Sequence, residues 1–333
     1  MIRLAIILFS LVAWWTDANA QITPQKEPEV NIVIDGSAAR YVLENPARAL
    51  ENRDSIWNTF EGYRITRVWH EGSSYPLTWD LWEKRLNKFL NDESLTNNAL
   101  KMLDDISTLE KREHRKIVKH LSSYLPGANS FDAHVYFIAF TIPYAFYVEQ
   151  NKIGIEINAD EWHNDPECLM NVVIHELFHV GYRLNSADVW HQQSDPTNTD
   201  ELIALNYAYL FNEGMASHVA YKALDLFPSE YKHDDYILME EEENIKNAFV
   251  GVNKILEMAK TETLETSMKE LWEIGVMQRA YYLAGAYMCQ TIEEEFGRNY
   301  LSELVSKGSR QFVKEYNEIA PHDLKIDMLD FEA

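Results

Sequence analysis

The chain has 333 residues, 46% hydrophobic and 12% aromatic, enough to bury a sizeable core in one large domain or two coupled lobes. Lys and Arg number 30 against 53 Asp and Glu, a formal net charge of −23; so acidic a surface repels phosphate backbones and excludes nucleic acid and anionic membranes as natural partners. Two cysteines, Cys168 and Cys289, are too few for a disulfide framework, so packing must supply most of the stability.

Residues 1–20, MIRLAIILFSLVAWWTDANA, join a basic Arg3, an apolar run from Leu4 to Trp15 and small residues at Ala18 and Ala20. That order predicts a signal peptide cleaved before Gln21. The run is short for a membrane span of about 20 residues, and no cysteine follows to carry a lipid anchor. The mature chain is expected to be periplasmic or secreted, with no stable membrane insertion after cleavage.

From Ala38 to about Tyr124 apolar residues recur at helical spacing, as in WDLWEKRLNKFL. The Pro126-Gly127 pair of YLPGANS breaks the pattern. Residues 21–130 therefore read as an N-terminal helical lobe and 131–333 as a catalytic domain. Residues 134–160 cluster β-branched and aromatic side chains, and KIGIEIN alternates Ile153, Ile155 and Ile157 with polar or small residues. Two or three short antiparallel strands are expected there, with KIGIEIN forming an edge along which a substrate adds as a further strand. Beyond Pro166 the period is helical again, at roughly 166–183, 199–224, 236–261 and 264–295. The acidic run Glu240 to Glu243 reads as a solvated helix face. The expected class is α+β, mostly α, with a small antiparallel sheet before the helix at 166.

That helix carries NVVIHELFHVGYR, residues 171–183. Positions four apart share a helix face, so His175 and His179 can present two imidazoles to one zinc ion. Glu176, next to the first histidine, can reach a water on that zinc and take its proton. The flanking residues Val172, Val173, Ile174, Leu177, Phe178 and Val180 are apolar; three polar groups in a buried helix need a chemical reason to be there.

Two histidines leave a third ligand to find. A glycine three residues after the second histidine and a histidine three beyond that would complete one known pattern, but Tyr182 and Asn185 occupy those positions. Another solution takes a glutamate from a following helix, and LNYAYLFNEGMASHVAYKAL offers one internal acid, Glu213. Its rivals are Asp188, His191 and Asp195 in the intervening linker, and His218, five residues beyond Glu213 and off its face. His163 and His191 are candidates to line a cleft; His70, His114, His120 and His134 read as structural or surface histidines. Cys168 lies two turns before His175 and Cys289 two turns after Tyr282, so antiparallel helices could bring them together, but two buried free thiols are the expectation.

HELFH followed by FNEGMA resembles the gluzincin metallopeptidases, most closely the aminopeptidase-N-like branch, whose third zinc ligand is the glutamate of an Asn-Glu-Gly-aromatic-Ala segment. It also resembles uncharacterised bacterial families of zinc-dependent peptidases. In the aminopeptidase-N-like branch a later tyrosine, three residues before a Gly-Ala pair, stabilises the oxyanion; Tyr282 stands three before Gly285-Ala286. The resemblance spans about residues 150–305 and implies a thermolysin-like core. Two departures stand out. Glu213 lies 34 residues after His179, longer than the aminopeptidase spacing, and the Gly-x-Met-Glu-Asn segment that holds a free amino terminus is replaced by IGIEINAD, with Glu156 as its one matching acid.

The expected function is hydrolysis of peptide bonds in a peptide or protein substrate. Zinc is held by His175, His179 and Glu213, Glu176 activates the attacking water, and Tyr282 supports the oxyanion. The alternatives are a non-catalytic zinc-stabilised binding module, which has no need of Glu176, and a zinc hydrolase of a non-peptide amide or ester.

Overall fold

A computed structural model describes residues 30–72, 78–127, 130–139, 145–148, 151–157, 162, 164–188 and 196–329. The export segment expected at 1–20, together with His163, His191 and Asp195, lies outside them. Among the described residues four strands, β1 (Val30–Asp35), β2 (Phe131–Ile138), β3 (Ala145–Val148) and β4 (Lys152–Glu156), form one sheet in the order β1-β2-β4-β3. β2 runs parallel to both β1 and β4, and only β3 and β4 are antiparallel. The sheet is thus mixed, not antiparallel as expected. Alternation shows that a segment is extended and which side it buries, but it says nothing of a neighbour's direction.

The parallel β1–β2 pair is reached by a long crossover of six helices: α1 (Ser37–Glu44), α2 (Pro46–Glu51), α3 (Arg53–Thr59), α4 (Glu61–Gly72), α5 (Trp79–Asn91) and α6 (Glu93–Ser122). β4 is flanked by β2 on one side and β3 on the other. KIGIEIN is therefore not an edge, and no substrate strand can add along it; its ladder bonds are already used.

α7 (Pro166–Asn185) carries the HELFH stretch. The Asp165 carboxylate accepts from the backbone N–H groups of Glu167 and Cys168 at 2.9 and 3.1 Å, and Pro166 fills the first helical position, where a missing N–H costs nothing. From Cys168 to Tyr182 every residue except His175 is buried, so α7 is a core helix. α8 (Thr199–Lys222) is capped by Asn198, whose Oδ1 accepts from Glu201 N at 2.9 Å, and packs along α7. One apolar core includes Val42, Trp57 and Ile106 as well as Phe178, Leu210 and Leu283. Cys168 and Cys289 are buried free thiols.

The two helical runs expected after residue 236 are each broken. The first divides into α9 (Asp234–Met239) and α10 (Glu242–Thr261), with Glu241 at the N-cap position of α10. The acidic run is solvent-exposed, and Glu242 and Glu243 fall in the first turn of α10, where negative charge meets the positive end of the helix dipole. The second run divides into α11 (Leu264–Glu270), a π-helical turn at Leu271–Met277 and α12 (Ala280–Phe296). α13 (Arg298–Lys307) and α14 (Ser309–Ile319) follow, and then a single helical turn at His322–Leu324.

α8 and α12 cross at Gly214 and Gly285, where a Cβ on Gly214 would collide with the Gly285 backbone and one on Gly285 with the Leu210 carbonyl. The glycines of the Asn-Glu-Gly and Gly-Ala segments are thus explained by packing, since they let Glu213 and Tyr282 approach one centre. Either Gly214→Ala or Gly285→Ala is expected to cost about 1–3 kcal/mol of unfolding free energy, measured by urea denaturation of the metal-free protein.

Candidate metal centre

His175 and His179 project from one face of α7, with Nε2 atoms 3.1 Å apart and ring planes 83° to each other. Glu213 enters from α8, its Oε2 lying 3.5 Å from His175 Nε2 and 3.4 Å from His179 Nε2. Four donors arranged tetrahedrally at 2.0–2.1 Å from zinc are separated from one another by roughly 3.3 Å. The three observed separations bracket that value, and two imidazoles with one carboxylate are a donor set zinc accepts. The residues present therefore fit the ion.

Asn212, which precedes Glu213, accepts at Oδ1 from His179 Nδ1 at 3.0 Å. Nδ1 must carry a proton in that bond, so Nε2, once deprotonated, is the nitrogen that offers a lone pair toward Glu213 and His175. The cluster is otherwise a set of acceptors facing one another. Burial pushes the His175 imidazole down to about 4. Burial acts the same way on His179, but the Glu213 charge outweighs it and holds that imidazole protonated above its ordinary range. Burial would raise Glu213, yet His179 and His175 keep its carboxyl well below the carboxylate range. The positive charge on His179 is thus what balances the Glu213 carboxylate, and a bound dication would take over that role. Glu176, 8% exposed, is pushed up to about 7 by burial, against the pull of His179.

The adjacent tyrosines of α12 part company. Tyr281 is fully buried, donates its hydroxyl to Asn206 Oδ1, and stacks on Tyr209 with ring centres 5.8 Å apart. Tyr282 turns toward the cluster, its ring nearly parallel to that of His175 at 6.2 Å. Burial, then the Glu213 charge, push its phenol well above the ordinary value, so it remains a neutral donor.

Two rivals for the third ligand position are engaged elsewhere. Asp188 accepts from Tyr182 Oη at 2.8 Å and from Ser309 N at 3.1 Å, capping α14. His218 Nε2 lies 2.5 Å from Glu293 Oε2. Among the histidines read as structural, His120 Nε2 donates to the Val219 carbonyl at 2.8 Å and His114 Nδ1 pairs with Glu110 at 2.7 Å. Glu156, the glutamate of the IGIEINAD segment, is 2% exposed.

Sequence reading passed over Asn212, Arg279 and Asp235. Asn212 carried a usable signal, being the neighbour of a candidate ligand in an apolar helix. The other two did not: they are 44 residues apart and each reads as an ordinary surface charge. In the structure Arg279 Nε donates to Asp235 Oδ1 at 2.8 Å and its Nη2 to Oδ2.

No curated protein and no solved structure matches the chain. A family model does match, over residues 78–324, an interval that opens at the Thr78 cap of α5 and takes in α7, α8, α12 and every residue of the cluster. The zinc dependence in that family's description agrees with the donor set of His175, His179 and Glu213. With most of its length inside the match, the chain belongs to the family described as "Putative zinc dependent peptidase (DUF5700)".

Proposed function

We propose that the protein is an exported zinc peptidase of the gluzincin type, with His175, His179 and Glu213 as metal ligands and Glu176 and Tyr282 acting on a peptide substrate. The observation that carries this reading is the convergence of two α7 imidazoles and the α8 carboxylate at separations of 3.1–3.5 Å, beside a buried carboxylate outside the triangle. Export rests on the composition of residues 1–20.

Zinc held by His175, His179 and Glu213 would supply a Lewis acid able to polarise a scissile carbonyl and acidify a water molecule. Glu176 would take the proton of that water as it attacks, the role of a general base; in the metal-free protein burial raises its carboxyl to about 7. The same carboxyl then delivers the proton to the leaving amine. Tyr282 donates its phenolic hydrogen to the carbonyl oxygen as negative charge grows there, a bond worth more in the transition state than in the ground state. Asn212 keeps His179 in the tautomer that offers Nε2.

The direct test is to incubate zinc-loaded protein with a mixed peptide library and sequence the products. New termini that disappear when a chelator removes zinc are expected. An intact library, with simple amides or esters hydrolysed instead, would move the activity to a non-peptide bond.

Tyr282→Phe is expected to lower kcat by about a hundredfold, with zinc content and KM little changed, in line with losing one oxyanion donor. Tyr281→Phe should leave kcat within about twofold and instead cost about 1–3 kcal/mol of stability, because Asn206 loses a buried partner. Equal small effects on kcat would remove Tyr282 from the oxyanion role.

A further inference from the structure

The regular helix fails where α12 begins. Leu271–Met277 form a π-helical turn, and Arg279 then adopts φ 65°, the left-handed region that costs a side-chain-bearing residue about 1 kcal/mol or more. Such a conformation persists only where the surroundings over-determine it. The Arg279 guanidinium is held on two sides: Asp235 accepts from its Nε and Nη2 in a fork, and its central carbon lies 3.2 Å from the centre of the Tyr282 ring. Asp235 is itself 4% exposed, with His233 Nδ1 at 3.4 Å on its second oxygen. Burial and the two Arg279 donors restrain the carboxylate, and the guanidinium it holds sits on the face of the tyrosine beside the metal ligands.

We propose that Arg279, anchored by Asp235, is a positioning residue for Tyr282: the guanidinium on the ring face sets where the phenol points and strengthens its donation to the oxyanion. The inference rests on Tyr282 acting as the oxyanion donor. A tyrosine can swing about two side-chain torsions, and a donor that must be reordered at each turnover loses the advantage of preorganisation. A cation over the ring face also draws electron density from the phenol, which makes its O–H the stronger donor. The planar fork is what the arrangement needs, so a lysine keeps the charge but neither the stack nor the double bond to Asp235. A buried ion pair is a poor stabiliser compared with apolar packing, which leaves its presence here unexplained by stability alone.

The test is a double-mutant cycle of Arg279→Lys with Tyr282→Phe. It reads kcat and KM on the peptide selected from the library, and the affinity for a phosphinic pseudopeptide of the same sequence, whose tetrahedral anion mimics the transition state. Arg279→Lys is expected to lower kcat about tenfold with KM and zinc content unchanged, to weaken the phosphinic ligand by about the same factor, and to change either by less than about twofold once Tyr282 is phenylalanine. Asp235→Asn, which loosens the guanidinium without removing it, should give the same pattern with a smaller amplitude, and it serves as the second variant if Arg279→Lys folds poorly. Effects that multiply in the double variant, or a rise in KM alone, would show that Arg279 acts apart from Tyr282 and overturn the proposal while leaving Tyr282→Phe defective. A Tyr282→Phe variant with full kcat would instead remove the oxyanion assignment, and the proposal with it.

Discussion

Glu176→Gln is expected to retain a full complement of zinc and to lose roughly 10³-fold or more in kcat, the size of a general-base contribution. The three atoms that converge on the metal position belong to His175, His179 and Glu213, so the exchange removes no ligand. Glutamine matches glutamate in shape and has no basic oxygen to accept the water's proton. The fold should not suffer either. Burial raises the Glu176 carboxyl to about 7, above its ordinary value, so the ionised side chain costs stability as pH rises from the ordinary carboxylate range toward 7 and this cost persists above it. Glutamine never ionises, and the metal-free variant should be at least as stable as the parent at neutral pH. Zinc by atomic absorption, cleavage of the library-selected peptide and urea denaturation check the three statements. An unchanged rate would take Glu176 out of the chemistry and leave a zinc-stabilised binding module as the better description.

How far the site could be read in advance depended on which interactions are local. His175, Glu176 and His179 lie within five residues, and helical geometry alone stacks the two imidazoles. Glu213 stood out as the one acid inside an apolar helix, because a carboxylate there needs a partner of opposite charge. Tyr282 and Tyr281 differ by a rotation of about 100°, and the sequence does not say which of them faces α7; the crossing of α8 on α12 at Gly214 and Gly285 decides it. The Arg279–Asp235 pair was illegible for the same reason, since neither residue carries a mark of its partner.

The sheet shows a different limit. VNIVID at 30–35 alternates well enough to be a strand, but it pairs in parallel with residues 101 positions further along, Val30 with Phe131, and the crossover consists of helices that look like a separate lobe. The break at Gln278 and Arg279 has neither proline nor glycine at the point of rupture. There the Arg279 side chain reaches Asp235, 44 residues earlier in the chain, a contact that local propensity does not encode.

Glu213→Ala is expected to weaken zinc binding by about a hundredfold or more, since removal of a ligand should exceed the 10–100-fold effect of losing a group that only orients one. In the metal-free protein Glu213 is what favours the protonated His179 imidazole over the desolvation that opposes it. Without it, two imidazoles 3.1 Å apart would have to hold a dication with no compensating negative charge among the ligands, in a site whose burial penalises uncompensated charge. The loss has a thermodynamic signature independent of catalysis. At a free zinc concentration far above both dissociation constants, each tenfold loss of affinity removes about 1.4 kcal/mol of zinc-linked stabilisation, so the rise in Tm on adding zinc should shrink accordingly. Asp188→Asn is the contrasting variant: its carboxylate caps α14, and it should lower Tm with and without zinc by the same amount while leaving zinc affinity intact. Competition with a chromophoric chelator reads the affinities directly. Unchanged affinity in Glu213→Ala, with loss in His191→Ala, would transfer the third ligand to the linker between α7 and α8.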